Sequence, residues 1–252
     1  MALKDDQIIA TRPRKKVYRE GDTVLKVFSA DYSKASVLNE ALNQARVEDI
    51  GLNVPRIHEV FKIEDQWAIR SDFIEGKTLQ QLMDENPDKR DEYLKQFVAL
   101  QMEIHTKRAQ LLTKLKDKMH RKISDSKFEA TIRFELHTRL EGMPKHNKVC
   151  HGDFNPSNVI ITPDGTPFII DWAHVTQGNA SADVARTYLY LMLSGEEQLA
   201  KDYLKLFCKM SDTALQYVQN WMPIVAASQS VKENSDDDFA LLSRWVNVVD
   251  YT

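Results

Sequence analysis

The sequence has 252 residues, enough for one large domain or two small lobes, and its apolar content of 42% and charged content of 28% are ordinary for a globular protein. The net charge of −3 excludes any general argument for a nucleic-acid partner, and two cysteines exclude a disulfide framework. The chain shows no signal-peptide core at its start and no apolar run of about 18 residues, so we expect a cytoplasmic protein without a membrane partner. The oligomeric state is left open.

The first third of the chain is predicted to form strands and one helix. Runs rich in β-branched and aromatic residues indicate strands at "DQIIA", "KVYRE" and "TVLKVFS", and later at "RIHEVFKI" and "QWAIRSDFI". Between these groups, "SKASVLNEALNQARVEDIG" has apolar residues at helical spacing, with Ser33 as the N-cap and Gly51 as the stop. The predicted order is therefore three strands, a helix and two strands.

From Gly76 onward the pattern becomes mostly helical. In "RDEYLKQFVALQMEIHT" the apolar residues fall on one face of a helix. Further helices are expected in "AQLLTKLKDKMHRKI", "SADVARTYLYLML", "EEQLAKDYLKLFCKM" and "TALQYVQNWMPIVAAS", the last of which Pro223 should kink or break. This shift predicts an α+β protein with a small mixed lobe, residues 1–75, and a helical lobe, residues 76–252.

The stretch "CHGDFNPSNVIITPDGTPFIIDWAHV" combines polar residues with a predicted hairpin. Its runs "NVIIT" and "PFIID" read as two strands joined by the turn "PDGT", which would bring Asp171 back beside Asn158. Carboxylate and carbonyl oxygens that converge on one point are suitable ligands for Mg²⁺. A further carboxylate, Asp153, is placed to accept a proton from a hydroxyl group. This equipment is typical of phosphoryl transfer.

These motifs resemble a known family. "HGDFNPSN" followed by "IIDW" is similar to the catalytic and metal-binding segments of the aminoglycoside phosphotransferase and choline kinase family, which are relatives of the protein kinases. The later "GNASADVART" resembles the Gly-x-x-x-x-Asp-x-Ala segment of that family. The resemblance implies a protein kinase-like bilobal fold, with a small antiparallel sheet in a nucleotide-binding N-terminal lobe and a mostly helical C-terminal lobe that carries the catalytic loop, the metal site and the acceptor site.

The resemblance also implies a role for each matching residue. Asp153 would be the catalytic base, or the carboxylate that orients the hydroxyl group. Asn158 and Asp171 would hold Mg²⁺. His151 would support the site structurally, and Asp183 would organise the loop by accepting backbone N–H bonds.

In the N-terminal lobe, the family places a lysine on the third strand against the nucleotide phosphates, and Lys26 occupies that position. Glu40 in the predicted helix is its best ion-pair partner, with Glu48 as the alternative. The backbone of the connector at Asp72, Phe73 and Ile74 would bond the adenine edge. Side chains there do not separate ATP from GTP, so either nucleotide is compatible.

One feature departs from the family pattern. The turn that covers the phosphates often carries glycines, whose backbone N–H groups approach phosphate closely. Here the turn reads "TRPRKK", and no glycine precedes Gly21. The side chains of Thr11, Arg12, Arg14 and Lys15 either replace the amide contacts or form a solvated basic turn.

The leading hypothesis is an ATP- and Mg²⁺-dependent enzyme that phosphorylates a hydroxyl group of a small molecule, such as an aminoglycoside, choline, ethanolamine or a sugar. The acceptor does not follow from the sequence, because the acidic run at Asp236, Asp237 and Asp238 is either a helix cap or a pocket for a cation. The glycine-free turn motivates an alternative, a nucleotide-binding pseudo-kinase or regulatory module without turnover. A protein kinase ranks lower, since no Ala-Pro-Glu segment follows Asp171.

Overall fold

The computed structural model describes residues 5–231 and 235–247. The strands are β1 (Ile8–Arg12), β2 (Lys15–Glu20), β3 (Thr23–Phe28), β4 (Ile57–Ile63), β5 (Gln66–Asp72), β6 (Lys77–Thr78), β7 (Lys148–Cys150), β8 (Val159–Ile161), β9 (Pro167–Ile169) and β10 (Thr176–Gly178). The helices are α1 (Lys34–Glu48), α2 (Leu79–Glu85), α3 (Arg90–Thr106), α4 (Leu115–Asp125), α5 (Ala130–Gly142), α6 (Ala180–Leu193), α7 (Glu197–Ser211), α8 (Leu215–Gln219), α9 (Met222–Gln229) and α10 (Asp236–Asn247).

The chain divides into two compact units. The first unit runs to Pro87 and also contains Pro156–His174, while the second contains Asp88–Asn155 and the chain from Val175 onward. The hairpin with Asn158 and Asp171 therefore belongs to the first unit. The division into two lobes between residues 75 and 76, which the sequence analysis expected, stays a prediction. In the described part of the chain, none of the helices has both the length and the apolar character needed to cross a membrane.

The first unit is built on an antiparallel sheet with the strand order β1-β2-β3-β5-β4. Alternation along β3 buries Leu25 and Val27 on one face and turns Lys26 to the other, as the sequence predicted. Helix α1 packs on the face of Lys26, where its Val37 contacts Phe28 in a buried cluster. The sheet thus presents the side chain of Lys26 toward α1.

Helix α1 begins where the sequence predicted. The hydroxyl of Ser33 accepts a hydrogen bond from the backbone N–H of Ser36 at 3.1 Å, which satisfies one of the free donors at the helix start. The helix ends at Glu48, before Gly51, which adopts a left-handed conformation with φ of 73°. The predicted helix and N-cap are confirmed.

The predicted hairpin is confirmed as β8 and β9, which pair through Val159 and Ile169. Gly165 in the connecting turn has φ of 87°, a conformation that glycine adopts without strain. Strand β6 extends this small sheet along β8. The approach depends on Gly76, because a Cβ atom there would lie 2.3 Å from the carbonyl oxygen of Ile161.

The second unit is mostly helical. Helix α3 covers the whole of the predicted stretch and buries Phe97, whose ring stacks on Phe154 with centroids 4.4 Å apart. Helices α8 and α9 replace the single stretch "TALQYVQNWMPIVAAS", and Pro223 lies in the first turn of α9. Proline is compatible with a first turn because the N–H it lacks has no partner within the helix. The predicted break is thus confirmed.

Candidate active site

The first unit contains a pocket of about 460 Å³ that gathers most of the predicted site residues. These residues come from the sheet, helix α1, the connector and the hairpin, and all of them line the pocket. They are Lys26, Glu40, Asp72, Phe73, Ile74, Asn158 and Asp171. Asp153, His151 and Asp183 belong to the second unit.

Lys26 lies between two carboxylates. Its Nζ is 2.8 Å from Oε1 of Glu40 and 3.3 Å from Oδ1 of Asp171. Burial by itself would lower the pKa of Lys26, but the charges of Asp171 and Glu40 outweigh it and raise the pKa above its ordinary value. The ammonium group is therefore charged at all physiological pH values.

Glu40, not Glu48, pairs with Lys26. The side chain of Glu40 is only 8% exposed, and its second oxygen, Oε2, lies 2.7 Å from Nζ of Lys15. Glu48 instead accepts a hydrogen bond from the backbone N–H of Ile57 at 2.8 Å, which ties the end of α1 to β4. The buried carboxylate of Glu40 thus forms ion pairs with two lysines, Lys15 and Lys26.

Asn158 and Asp171 lie at the open end of the hairpin and both line the pocket. The backbone N–H of Ile170 donates to the carbonyl of Asn158 at 2.9 Å, so the pairing of the two strands continues to the residue before Asp171. Asp171 has φ of 62°, uncommon for a residue other than glycine, and its side chain is 40% exposed. One carboxylate and one amide oxygen in a partly solvated pocket fit Mg²⁺, which binds few protein ligands and keeps several waters.

The connector is held by its own hydrogen bonds. Asp72 accepts from the backbone N–H of Arg56 at 2.9 Å and contacts Nε2 of His58 at 2.7 Å. The backbone N–H of Phe73 donates to the carbonyl of Asp22 at 2.9 Å. The Asp72 side chain therefore stabilises the local backbone, and the Phe73 amide is already engaged.

In the second unit, Asp183 organises the loop that carries Asp153. Its Oδ1 accepts from the backbone N–H of Gly152 at 2.7 Å, and its Oδ2 accepts from the N–H of His151 at 3.2 Å. Gly152 has φ of 78°, so its conformational freedom is required here. Burial would raise the pKa of Asp183, but the hydrogen bond from His105 and the backbone bonds hold it below its ordinary value.

Asp153 follows this anchored dipeptide. Its backbone N–H donates to Nδ1 of His151 at 3.2 Å, which requires the unprotonated form of that ring nitrogen. His151 is fully buried. A buried imidazole that accepts a backbone bond helps to hold the loop, and the supporting role of His151 in the site stays a prediction.

Residues 14–217 match the sequence model of a protein family that is described as "Phosphotransferase enzyme family". The chain belongs to this family. The match covers most of the chain and includes every predicted site residue, which confirms the family resemblance and the expectation of an enzyme that transfers phosphoryl groups. No curated protein matched the sequence.

Solved structures share the fold of this phosphotransferase. A thermostable mutant of aminoglycoside phosphotransferase APH(4)-Ia, in a ternary complex with AMP-PNP and hygromycin B, is 17% identical with a TM-score of 0.69, over 95% of this chain and 90% of that one. Choline kinase LicA from Streptococcus pneumoniae is 18% identical with a TM-score of 0.63, over 95% and 90%. These similarities confirm the kinase-like α+β fold.

The sequence analysis of the phosphotransferase missed Arg186. Its Nη2 lies 3.1 Å from Oδ1 of Asp153, and its Nη1 donates to Oε1 of Gln229 at 2.6 Å. The signal was present in "ADVART", because Asp183 and Arg186 are three residues apart on a helix and so share a face. An arginine beside a predicted loop-organising aspartate was therefore a candidate partner for the loop.

The basic side chains of the turn between β1 and β2 lie in different surroundings. Arg14 forms an ion pair with Asp31 at 2.7 Å and lies over the ring of Tyr32. Arg12 and Lys15 line the pocket, whereas Thr11 and Arg14 are not among its lining residues. Neither alternative from the sequence therefore describes all four side chains.

The acidic run of the phosphotransferase begins helix α10. The backbone N–H of Asp238 donates to the hydroxyl of Ser235 at 3.1 Å, and the N–H of Ser235 donates back to Oδ2 of Asp238 at 3.2 Å. This reciprocal arrangement is a capping box. The run therefore contains a helix cap, one of the two readings that the sequence allowed.

Proposed function

We propose that this phosphotransferase moves the γ-phosphoryl group of ATP, in the presence of Mg²⁺, to a hydroxyl group of a small molecule. The observation that carries the proposal is the lysine of β3, Lys26, held between Glu40 and Asp171 in a pocket that also contains Asn158. Structures with the same fold contain AMP-PNP with hygromycin B, or ADP with hygromycin B, and these contents support a nucleotide and a small acceptor here.

Lys26 would bind the nucleotide phosphates. Its raised pKa keeps the ammonium charged, and its two carboxylate partners fix its position before the nucleotide arrives. Because the N–H groups of Asp72 and Phe73 are already bonded to the carbonyls of Arg56 and Asp22, the donor to the adenine edge would be the N–H of Ile74, and carbonyl groups of the connector would be the acceptors. Backbone groups alone do not select the base strongly, so GTP is a second nucleotide to test.

Asn158 and Asp171 would hold the metal ion through their side-chain oxygens. When bound, Mg²⁺ offsets negative charge on the phosphates and so supports phosphoryl transfer. In the structure Asp171 already contacts the ammonium of Lys26 at 3.3 Å. The same carboxylate would therefore connect the metal position to the phosphate-binding lysine.

Asp153 would orient the acceptor hydroxyl and accept its proton. The carboxylate is partly exposed, at 23%, and Arg186 fixes one of its oxygens. Asp183 and His151 form hydrogen bonds with the backbone of the loop that carries it, so they would be positioning residues. The acceptor is an aminoglycoside, choline, ethanolamine or a sugar-like alcohol, and the two free cysteines agree with a cytoplasmic enzyme.

The experiment that tests this function is an acceptor screen. Purified protein with ATP and Mg²⁺ is incubated with aminoglycosides, choline, ethanolamine, sugars and hydroxy-amino acids, and ADP release is measured. With the accepted substrate, Asp153→Asn should lower kcat by about 10²- to about 10⁴-fold, the usual contribution of a general base. The matched control is Asp91→Asn, which changes the same charge at an exposed position of the second unit and should leave kcat unchanged.

Three outcomes would contradict the proposal in whole or in part. If the protein binds ATP but none of the acceptors causes ADP release, the nucleotide-binding module without turnover replaces it. If Asp153→Asn turns over as fast as the parent, phosphotransfer stands but the role of Asp153 is wrong. Phosphate that appears on a protein rather than on a small alcohol would point instead to a protein kinase.

A further inference from the structure

The first hairpin of this chain lacks the glycines that bring backbone N–H groups close to phosphate. Its turn between β1 and β2 contains Pro13, which has no backbone N–H, and no glycine that would let the backbone approach a ligand closely. A nucleotide triphosphate still carries several negative charges into the pocket. In a site built this way, side chains must supply the donors that the backbone does not.

Strand register places Lys15 on the face where these donors are needed. Lys15 is paired with Phe28, and Val17 is paired with Lys26, so all four side chains share one face of the sheet. Lys15, Val17 and Lys26 line the same pocket. The neighbouring Lys16 points to the opposite face and is exposed.

The contacts of Lys15 hold its ammonium inside the pocket. Its Nζ lies 2.7 Å from Oε2 of Glu40 and 5.2 Å from the centre of the Phe28 ring, and its side chain is only 22% exposed. Glu40 shares its single negative charge between Lys15 and Lys26. Asp171 also contacts Lys26, so the two lysines and the two carboxylates together carry no net charge. With Asp171 on Mg²⁺, as proposed, the remaining three groups would carry one surplus positive charge, which favours an anion nearby.

Arg14 does not compete for this role. Its guanidinium forms an ion pair with Asp31 at 2.7 Å and lies outside the pocket lining. Arg12 lines the pocket but is exposed, so solvent screens its charge more strongly. Lys15 is the partly buried cation that the hairpin contributes to the pocket wall.

We propose that Lys15 is a second phosphate-binding lysine, which donates a charge-assisted hydrogen bond to a phosphate oxygen of the bound nucleotide. It thereby replaces, with a side chain, the donors of a glycine-rich turn. Glu40 orients both lysines, because its Oε2 accepts a hydrogen bond from Lys15 and its Oε1 accepts one from Lys26. The inference rests on the proposed nucleotide pocket, but it does not depend on the identity of the acceptor or on turnover.

The test measures dissociation constants for adenosine, ADP and ATP with Mg²⁺, in the absence of any acceptor. Lys15→Met should weaken ATP binding by about tenfold to about 100-fold, the range for a hydrogen bond to a charged group, and should leave adenosine binding unchanged. Lys15→Arg should retain most of the ATP affinity because it keeps the charge. The matched control, Lys16→Met, removes the same charge from the adjacent exposed position and should change ATP affinity by less than about twofold.

A second set of variants separates phosphate binding from support of Glu40. In a Glu40→Gln background the carboxylate that Lys15 holds is gone. If Lys15 contacts phosphate, Lys15→Met still weakens ATP binding in this background. If Lys15 acts only through Glu40, the added substitution changes nothing, and the proposal is overturned.

The remaining outcomes are also decisive. Equal losses for adenosine and ATP in Lys15→Met would show a change of pocket shape and overturn the proposal. A parent protein that binds ATP, loses it in Lys15→Met and never releases ADP would support Lys15 while it overturns the transferase. If the parent turns over normally and Lys15→Met binds ATP as tightly as the parent does, the transferase stands and the role of Lys15 is overturned.

Discussion

Asp183 is a buried carboxylate that forms hydrogen bonds with the loop that carries Asp153. It accepts backbone N–H bonds from His151 and Gly152 and contacts Nε2 of His105 at 3.1 Å. A buried carboxylate is stable only when its charge is compensated in this way. The same bonds fix the backbone directly before Asp153, so stability and positioning depend on one residue.

Asp183→Asn should lower the free energy of unfolding by about 3 kcal/mol, as expected when one partner of a buried charged network is removed. The pKa of Asp183 is lowered in the folded state, so its contribution is present above the unfolded-state pKa of about 3.9 and is lost as the pH falls through the folded-state pKa. Denaturant unfolding between pH 3 and pH 6 would show a shallower loss of stability in the variant.

The control for this prediction is Asp31→Asn. Asp31 also has a lowered pKa, chiefly from the hydrogen bond with Ser29, but its carboxylate is exposed. Exposed pairs contribute little to stability, so this variant should follow the parent across the pH range. Identical slopes for the parent and Asp183→Asn would contradict the assigned role.

Arg186 contacts the carboxylate of Asp153 directly, so its effect on that carboxylate can be tested. Arg186→Met removes the guanidinium that lies 3.1 Å from Oδ1 of Asp153 and keeps most of the apolar side chain. If Arg186 positions the carboxylate, kcat should fall by about tenfold while KM for ATP stays the same, because only the reacting geometry changes. Arg186→Lys should recover part of the loss, and a rise in KM for ATP with unchanged kcat would contradict positioning.

At the scale of elements, periodic patterns predicted the long helices well. Helix α3 matches the stretch "RDEYLKQFVALQMEIHT" along its whole length, because its buried residues recur at helical spacing. Helix α5 was not predicted. It buries Leu136 and Leu140 but exposes Phe134 at 72%, so its apolar residues do not mark one face clearly.

Three of the short strands were not predicted from local sequence. Strand β6 has two residues, and β7 and β10 have three each. Strands β8 and β9 are equally short, but the turn "PDGT" between two apolar runs marked them as a hairpin. Strands β6, β7 and β10 have no such local signal, and they exist because a partner strand supplies hydrogen bonds. The pairing of β6 with β8 is such a case.

That pairing can be tested at Gly76. A Cβ atom at this position would lie 2.3 Å from the carbonyl oxygen of Ile161, a backbone atom that cannot move without disturbing β8. Gly76→Ala should therefore lower the free energy of unfolding by about 1 to about 3 kcal/mol, the usual effect of overpacking. The matched control is Gly142→Ala at the end of α5, where nothing lies within 4 Å of the added atom and stability should hold or rise slightly. Equal stability of the two variants would contradict this explanation.

For the whole molecule, the motif residues were predictable and their additional partners were not. Asn158 and Asp171 follow from a local hairpin, and Lys26 follows from strand order. Lys15 was one of four candidates in the basic turn, and Arg186 was marked only by its spacing from Asp183. Their contacts with Glu40 and Asp153 depend on strand register and helix packing, which bring together residues far apart in the sequence. Local patterns therefore identify the chemistry of the site, while its full set of charged groups requires the tertiary structure.

The distribution of the pocket over the chain leads to a prediction about nucleotide-dependent stability. The residues that line it all belong to the first unit. ATP with Mg²⁺ at about 100 times its dissociation constant should stabilise the folded state by about 2.7 kcal/mol, because the ligand binds only that state. Hydrogen exchange should slow most in β3, α1 and the hairpin of β8 and β9. Lys26→Met should abolish this protection, while Lys62→Met, at an exposed position outside the pocket, should retain it. Protection confined to helices of the second unit would place the nucleotide elsewhere and contradict the assignment of the pocket.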